Sequence, residues 1–111
     1  MSADTLRRSM LFDFYGEVLT DKQRLYYNLH YNEDLSLGEI AEQFGVSRQA
    51  VWDIIRRAEG VLTELEEKTG LVARFERQRA VLAEIELLVR RAREEPAVLD
   101  EVIRRLEALK D

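Results

Sequence analysis

Arg48, Gln49, Trp52, Arg56 and Arg57 fall within one short run, SRQAVWDIIRR. Arginine presents a planar fork of donors that fits a guanine edge or a phosphate, and glutamine pairs with adenine. Tryptophan stacks on an unpaired base or anchors a protein partner. If Val51, Ile54 and Ile55 point into a core, helical periodicity turns Arg48, Gln49, Trp52, Asp53 and Arg56 outward. Base and phosphate contact is therefore the chemistry of this stretch. Arg48 and Gln49 stand at the end from which recognition helices reach bases. Asp53 sits in the middle of the same face, and Glu39 and Glu42 lie on the preceding segment. Carboxylates repel phosphates, so a structural helix meeting protein or RNA is the competing reading. The four-residue step from Arg48 to Trp52 allows a cation–π contact, worth ~0.5–1 kcal/mol when exposed. Packing of Trp52 on the preceding helix is the alternative.

These residues need a scaffold, and their neighbours supply one. Ser36 with Glu39 forms a capping box that opens a helix over about 37–43. Phe44-Gly45-Val46 reads as the turn, with Gly45 suited to positive φ. Ser47 caps a second helix. Ile40, Ala41, Phe44, Val46, Val51, Ile54 and Ile55 are spaced to close a small core. This is the pattern of a helix-turn-helix. The second helix runs on to about Lys68, through Gly60, with Gly70 as the stop. Upstream, Thr20 and Gln23 form another capping box for a helix over 21–31, with Leu25, Tyr26, Leu29 and His30 facing inward. Before it, Leu6, Met10, Leu11, Phe14, Tyr15, Val18 and Leu19 form an amphipathic stripe over 5–19, and Phe12 falls off it. Gly16 weakens that helix by about 1 kcal/mol.

Downstream, Leu71, Phe75, Leu82, Ile85, Leu88, Val89 and Ala92 approach a heptad pattern over 71–94, interrupted by Gln78. Pro96 marks a boundary, and a last helix follows over 97–109. This half carries Arg74, Arg77, Arg79, Arg90, Arg91 and Arg93, the largest basic set in the chain. Arg79, Arg90 and Arg93 share one helical arc with Glu86. Arg74, Arg77 and Arg91 share another with Glu84. A phosphate contact through residues such as Arg74 and Arg77 stands against a solvated, salt-bridged face.

The chain has 111 residues, enough for one modest core. Net charge is −5, which gives no general attraction to nucleic acid. Residues 36–69 hold four basic and seven acidic groups, and residues 70–111 hold nine of each. The absence of cysteine excludes disulfides and thiolate metal sites and fits a reducing cytoplasm. His30 is the only histidine, so a metal site is not expected. No leader and no membrane-spanning run is visible. P-loop, dinucleotide and nucleophile-elbow motifs are absent. The residues predict a non-enzyme without a cofactor.

The fold expectation is all-α, about six helices: a helix-turn-helix domain over 1–69 and a helical extension over 70–111 packed on it. From Thr20 to Leu62 the chain resembles the fourth region of bacterial sigma factors, through LTDKQRLYYNLHY, DLSLGEIAEQFGVSRQAV and IIRRAE. Over a longer span, with the LFDFY opening and the GLVARF continuation, it resembles the YlxM family of small bacterial proteins. Trp52 stands where that family is expected to carry tyrosine. The resemblance implies a helix-turn-helix accessory factor of the signal recognition particle pathway, contacting the particle's RNA or its GTPase. It equally leaves open a regulator that binds DNA. A second copy of the chain is a further candidate partner, because the stripes from Leu71 to Leu109 can bury one another.

Overall fold

Two capping boxes and a serine cap set the phase of the first half of the chain. In the computed structural model, the Gln23 backbone N–H donates to Thr20 Oγ1 at 3.2 Å while Gln23 Oε1 accepts the Thr20 N–H at 3.0 Å. Ser36 and Glu39 make the same reciprocal pair, both bonds at 3.0 Å. Ser47 Oγ accepts from the Ala50 N–H at 3.0 Å. Each cap satisfies donors that a helix start leaves without partners. The structure describes residues 3–110, and Met1, Ser2 and Asp111 lie outside them.

Among the described residues there are six α-helices and no strand. They are α1 (Ala3–Tyr15), α2 (Asp21–Tyr27), α3 (Leu37–Phe44), α4 (Arg48–Thr69), α5 (Leu71–Arg91) and α6 (Val98–Ala108). None is long and apolar enough to cross a membrane. The all-α, six-helix expectation holds.

Four helices have bounds that differ from the periodicity. The stripe over 5–19 is α-helical only to Tyr15 and tightens into a 3₁₀ turn, Gly16–Val18. The chain must reach extended backbone at Leu19 and Thr20 for the next cap to form, so the helix closes one turn earlier. The stretch expected as one helix over 21–31 is α2 followed by a π-helical turn, Asn28–Asn32. In that wider turn the Tyr27 and Tyr31 rings lie 4.8 Å apart, and His30 Nδ1 meets the Leu35 carbonyl at 2.8 Å. Farther on, α5 stops at Arg91 rather than Glu94, and α6 spans Val98–Ala108. Gly45 and Gly70 take left-handed backbone, φ 67 and 64, and close α3 and α4 as the sequence predicts.

The described residues divide into two compact units, the first ending at Val72 and the second starting at Ala73. In the first, α2, α3 and α4 form the trihelical helix-turn-helix, and α1 also packs on α4. Tyr26, Tyr27, Ile40, Val51, Ile55, Leu62 and Val72 are fully buried there. Full burial of such side chains is worth about 1.5–3 kcal/mol each. Several inward expectations are corrected. Phe44 and Val46 are more than a third exposed, and so is Leu25. The turn leaves Phe44 at the rim, its ring 5.3 Å from Tyr26. Tyr27 takes the central place, stacked on Phe12 at 5.5 Å. The buried carboxylate of Glu66 accepts from the Tyr15 hydroxyl at 2.6 Å and the Val72 N–H at 3.0 Å.

In the second unit α5 and α6 form an antiparallel hairpin. Ala108 and Leu109 lie beside Arg74, Arg77, Gln78 and Val81, and Arg105 pairs with Glu84. Among the described residues of this unit, only Ile85 and Val102 are buried.

Candidate nucleic-acid interface

The Ser47 cap fixes where α4 begins, and so where Arg48 and Gln49 stand: in its first turn, both exposed. The backbone N–H groups there carry the positive end of the helix dipole, which favours anions. Arg48 does not extend freely. Its guanidinium lies over Gly38 of α3, so close that a Cβ built at Gly38 would sit 3.1 Å from Arg48 Nε. The cation–π contact that the spacing allows between Arg48 and Trp52 is not formed among the described residues. Gln49 Nε2 donates to Asp53 Oδ1 at 2.9 Å. Trp52 is half-buried and packs on the first unit's core, the alternative the sequence left open. Its exposed edge lines a shallow groove with Leu37, Arg48 and Gln49.

One turn on, Arg56 and Arg57 are exposed and line a second depression with Asp53. Asp53 thus sits between the two depressions, tied to Gln49. On α3, Glu39 and Glu42 are exposed. Hydrogen bonds from Ser36 hold the Glu39 carboxyl below its usual range, so it stays charged and bound into its cap.

Two other arginines of the first unit, Arg8 and Arg24, are engaged internally. Arg8 Nε donates to Glu59 at 3.1 Å, and its guanidinium lies 4.7 Å from the Tyr31 ring. The Glu59 bond raises the Arg8 pKa against the lowering effect of burial. Arg24 donates to the carbonyls of Gly16 and Glu17 at 3.2 and 3.3 Å. Arg48, Arg56 and Arg57 are the arginines that α4 displays.

Arg74 and Arg77 belong to the second unit. Both are exposed and form no ion pair among the described residues. Arg90 pairs with Glu86 at 2.7 Å and Arg91 with Glu95 at 3.3 Å, while Arg79 lies over Phe75 at 5.8 Å. Within the C-terminal arginine set, Arg90 and Arg91 are thus salt-bridged along the helix. Sequence reasoning missed Leu37 and Gly38 as parts of the α4 site. The signal was available: a glycine in the first turn of α3, where a capping box needs none.

The family described as "Putative helix-turn-helix protein, YlxM / p13 like" matches residues 2–102 of the chain. Three relatives, each named a UPF0122 protein, are similar to it. That of Halalkalibacterium halodurans is 49% identical over 105 residues, 95% of this chain and 93% of the relative. That of Geobacillus kaustophilus is 46% identical over 109 residues, 98% and 99% of the two chains. That of Shouchella clausii is 56% identical over 81 residues, 73% and 74% of the two chains.

Proposed function

The chain belongs to the UPF0122 family of YlxM-like helix-turn-helix proteins, and from that premise we propose a non-catalytic factor that contacts nucleic acid through the outer face of α4. Its partner on this reading is a structured RNA, that of the signal recognition particle, where it acts as an accessory or regulatory factor. The observation that carries the reading is the mixed character of α4. Arg48, Arg56 and Arg57 supply phosphate contacts, and the Trp52 groove offers an apolar edge to an unstacked base. Asp53 holds the Gln49 amide away from a base edge and places a carboxylate where a duplex backbone would approach. Duplex DNA, the second reading, is favoured by the placement of Arg48 and Gln49 in the first turn of the second helix.

Fluorescence anisotropy at ~150 mM salt decides between them. The particle's RNA is expected to bind more tightly than an unrelated hairpin or a mixed-sequence duplex. Combined Arg56→Ala and Arg57→Ala substitution is expected to weaken it at least tenfold. Equal affinity for all three probes sinks the RNA reading, and selection of one enriched duplex motif, lost in Gln49→Ala, replaces it with the DNA reading. Capture of the particle's GTPase without RNA would move the partner to protein.

A further inference from the structure

The hairpin of α5 and α6 has two unlike sides. At about 100° per residue, Glu84 and Arg91 of α5 fall on one side, together with Glu101 and Arg105 of α6. Arg105 bonds both Glu84 and Glu101 across that side. Phe75, Leu82 and Val89 fall on the other side of α5. Because α6 runs antiparallel, its Leu99, Ile103 and Leu106 fall on that same side. All six are exposed, between 39% and 53%. One side is thus laced with ion pairs, and the other is a continuous apolar surface facing water.

Two helices with two buried residues do not make a stable core, and units near 40 residues ordinarily need disulfides, metals or association. The chain has no cysteine, and no group of three His, Asp or Glu among the described residues could hold a metal. The surface is also self-complementary in charge. Beyond the apolar stripe, α5 carries Arg79 and Arg90 with Glu86, and the outer edge of α6 carries Asp100 and Glu107. From Ala73 onward the charges balance, nine against nine. A uniformly charged partner such as nucleic acid gains nothing from such a surface, whereas a second copy does.

We propose that two copies of the chain dock through the apolar sides of their α5–α6 hairpins to form an antiparallel four-helix bundle. A twofold axis along the helices sets α5 of each copy on α6 of the other. Phe75, Leu82 and Val89 then close on Leu99, Ile103 and Leu106, and the arginine edge of α5 meets the acidic edge of α6. Such an interface is isologous and closed. α5 is about 30 Å long at 1.5 Å per residue, and two helices side by side offer an area on the order of the ~800 Å² per partner that stable interfaces bury. The inference is independent of which nucleic acid α4 contacts.

Sedimentation velocity on the full chain, from about 1 to 100 μM, is the test. The expected species has twice the 13.0 kDa chain mass. Leu82→Glu and Ile103→Glu are each expected to raise the dimer dissociation constant at least tenfold. Both sites are about half exposed in the single chain, so the helical far-UV spectrum should survive. Leu87→Glu is the control: 61% exposed, but on the ion-paired side of α5, it should leave the dimer intact. A monomer throughout the range overturns the proposal, as does a dimer that Leu87→Glu breaks and Ile103→Glu does not. If Ile103→Glu melts the hairpin, Leu82→Lys together with cross-linking of Glu107→Cys to Arg79→Cys in mixed copies decides it. Absence of that cross-link rejects the arrangement.

Discussion

The two units of this chain use the same kind of helix and bury very different amounts of it. The first closes twelve residues, from Leu11 to Val72, into one cluster. The second buries Ile85 and Val102 and leaves Leu82, Leu87, Val89, Leu99, Ile103 and Leu106 between 44% and 61% exposed. Amphipathic spacing is comparable in both. An apolar stripe is a demand for a partner surface, and it becomes a core only where the topology supplies one. In the first unit α1, α2 and α3 all pack on α4. In the second, a hairpin offers each helix a single neighbour.

The largest way to break that contrast is at the centre of α4. Ile55→Ala is expected to cost about 2–5 kcal/mol in urea unfolding, since the site is fully enclosed and cannot collapse. Val102→Ala, in the hairpin, should cost about half that or less. Native-state hydrogen exchange gives the same test without substitution. Amides from Val51 to Leu62 should be the slowest in the chain, and those of α6 should exchange orders of magnitude faster. Equal protection would mean the hairpin is stabilised as strongly as the helix-turn-helix.

Next in size is Glu66. Its carboxylate holds the Tyr15 hydroxyl and the Val72 N–H, both buried. Glu66→Ala leaves the Val72 N–H without an acceptor and the Tyr15 hydroxyl with only Thr69 Oγ1, on the order of 2 kcal/mol of destabilisation. Glu66→Gln keeps one acceptor oxygen and should lose about half as much. Equal melting temperatures for the two variants would show that only packing matters there.

A third test uses pH, because all four tyrosines lie within the first 31 residues. Burial pushes the Tyr15 hydroxyl up, with its bond to Glu66 adding to the effect. Burial also pushes up Tyr27 and Tyr31, and Glu59 adds to both. The folded values lie above the unfolded value of 10.0, so the native state holds these protons when the unfolded chain has lost them. Stability from these groups is complete below pH 10 and falls as pH rises beyond it, by at most ~1.4 kcal/mol per pH unit for each. Tyr27→Phe should flatten the alkaline limb of a melting-temperature profile. An unchanged limb would place the sensitivity elsewhere.

The helix-turn-helix was legible because its signals are local. Ser36, Glu39, Gly45, Ser47 and Gly70 each act within a few residues, and each does in the structure what its type predicts. The aromatic arrangement was not legible. Phe12 lies off the α1 stripe, yet its ring stacks on Tyr27 of α2, a contact between two helices that the periodicity of one helix does not show. Leu25 was expected inward beside Tyr26, and the structure buries Tyr26 as expected but Tyr27 in place of Leu25. The α4 site was half legible. The sequence set Arg48, Gln49, Trp52, Arg56 and Arg57 on one helix but said nothing of a neighbouring helix under Arg48. That depends on Gly38, ten residues earlier, through a contact only the fold creates.

The smallest expected effect on stability tests that contact. In Gly38→Ala the new methyl would sit 3.1 and 3.2 Å from Arg48 Nε and Nη2. The far end of a flexible side chain moves at little cost, and alanine gains up to ~1 kcal/mol in a helix. The melting temperature should therefore hold or rise slightly. Arg48 should nevertheless leave its resting place, and affinity for whichever nucleic acid α4 binds should change several-fold. Gly60→Ala separates the two effects. It sits within α4 with nothing inside 4 Å of its added carbon, so it shares the helical gain and leaves Arg48 alone. Equal affinity for the two alanine variants, with Arg48→Ala weakened, would mean that Arg48 contributes charge and that its seat on α3 does not position it. A change confined to Gly38→Ala would show that α3 serves the first unit twice, as part of its core and as the rest on which a binding side chain is aimed.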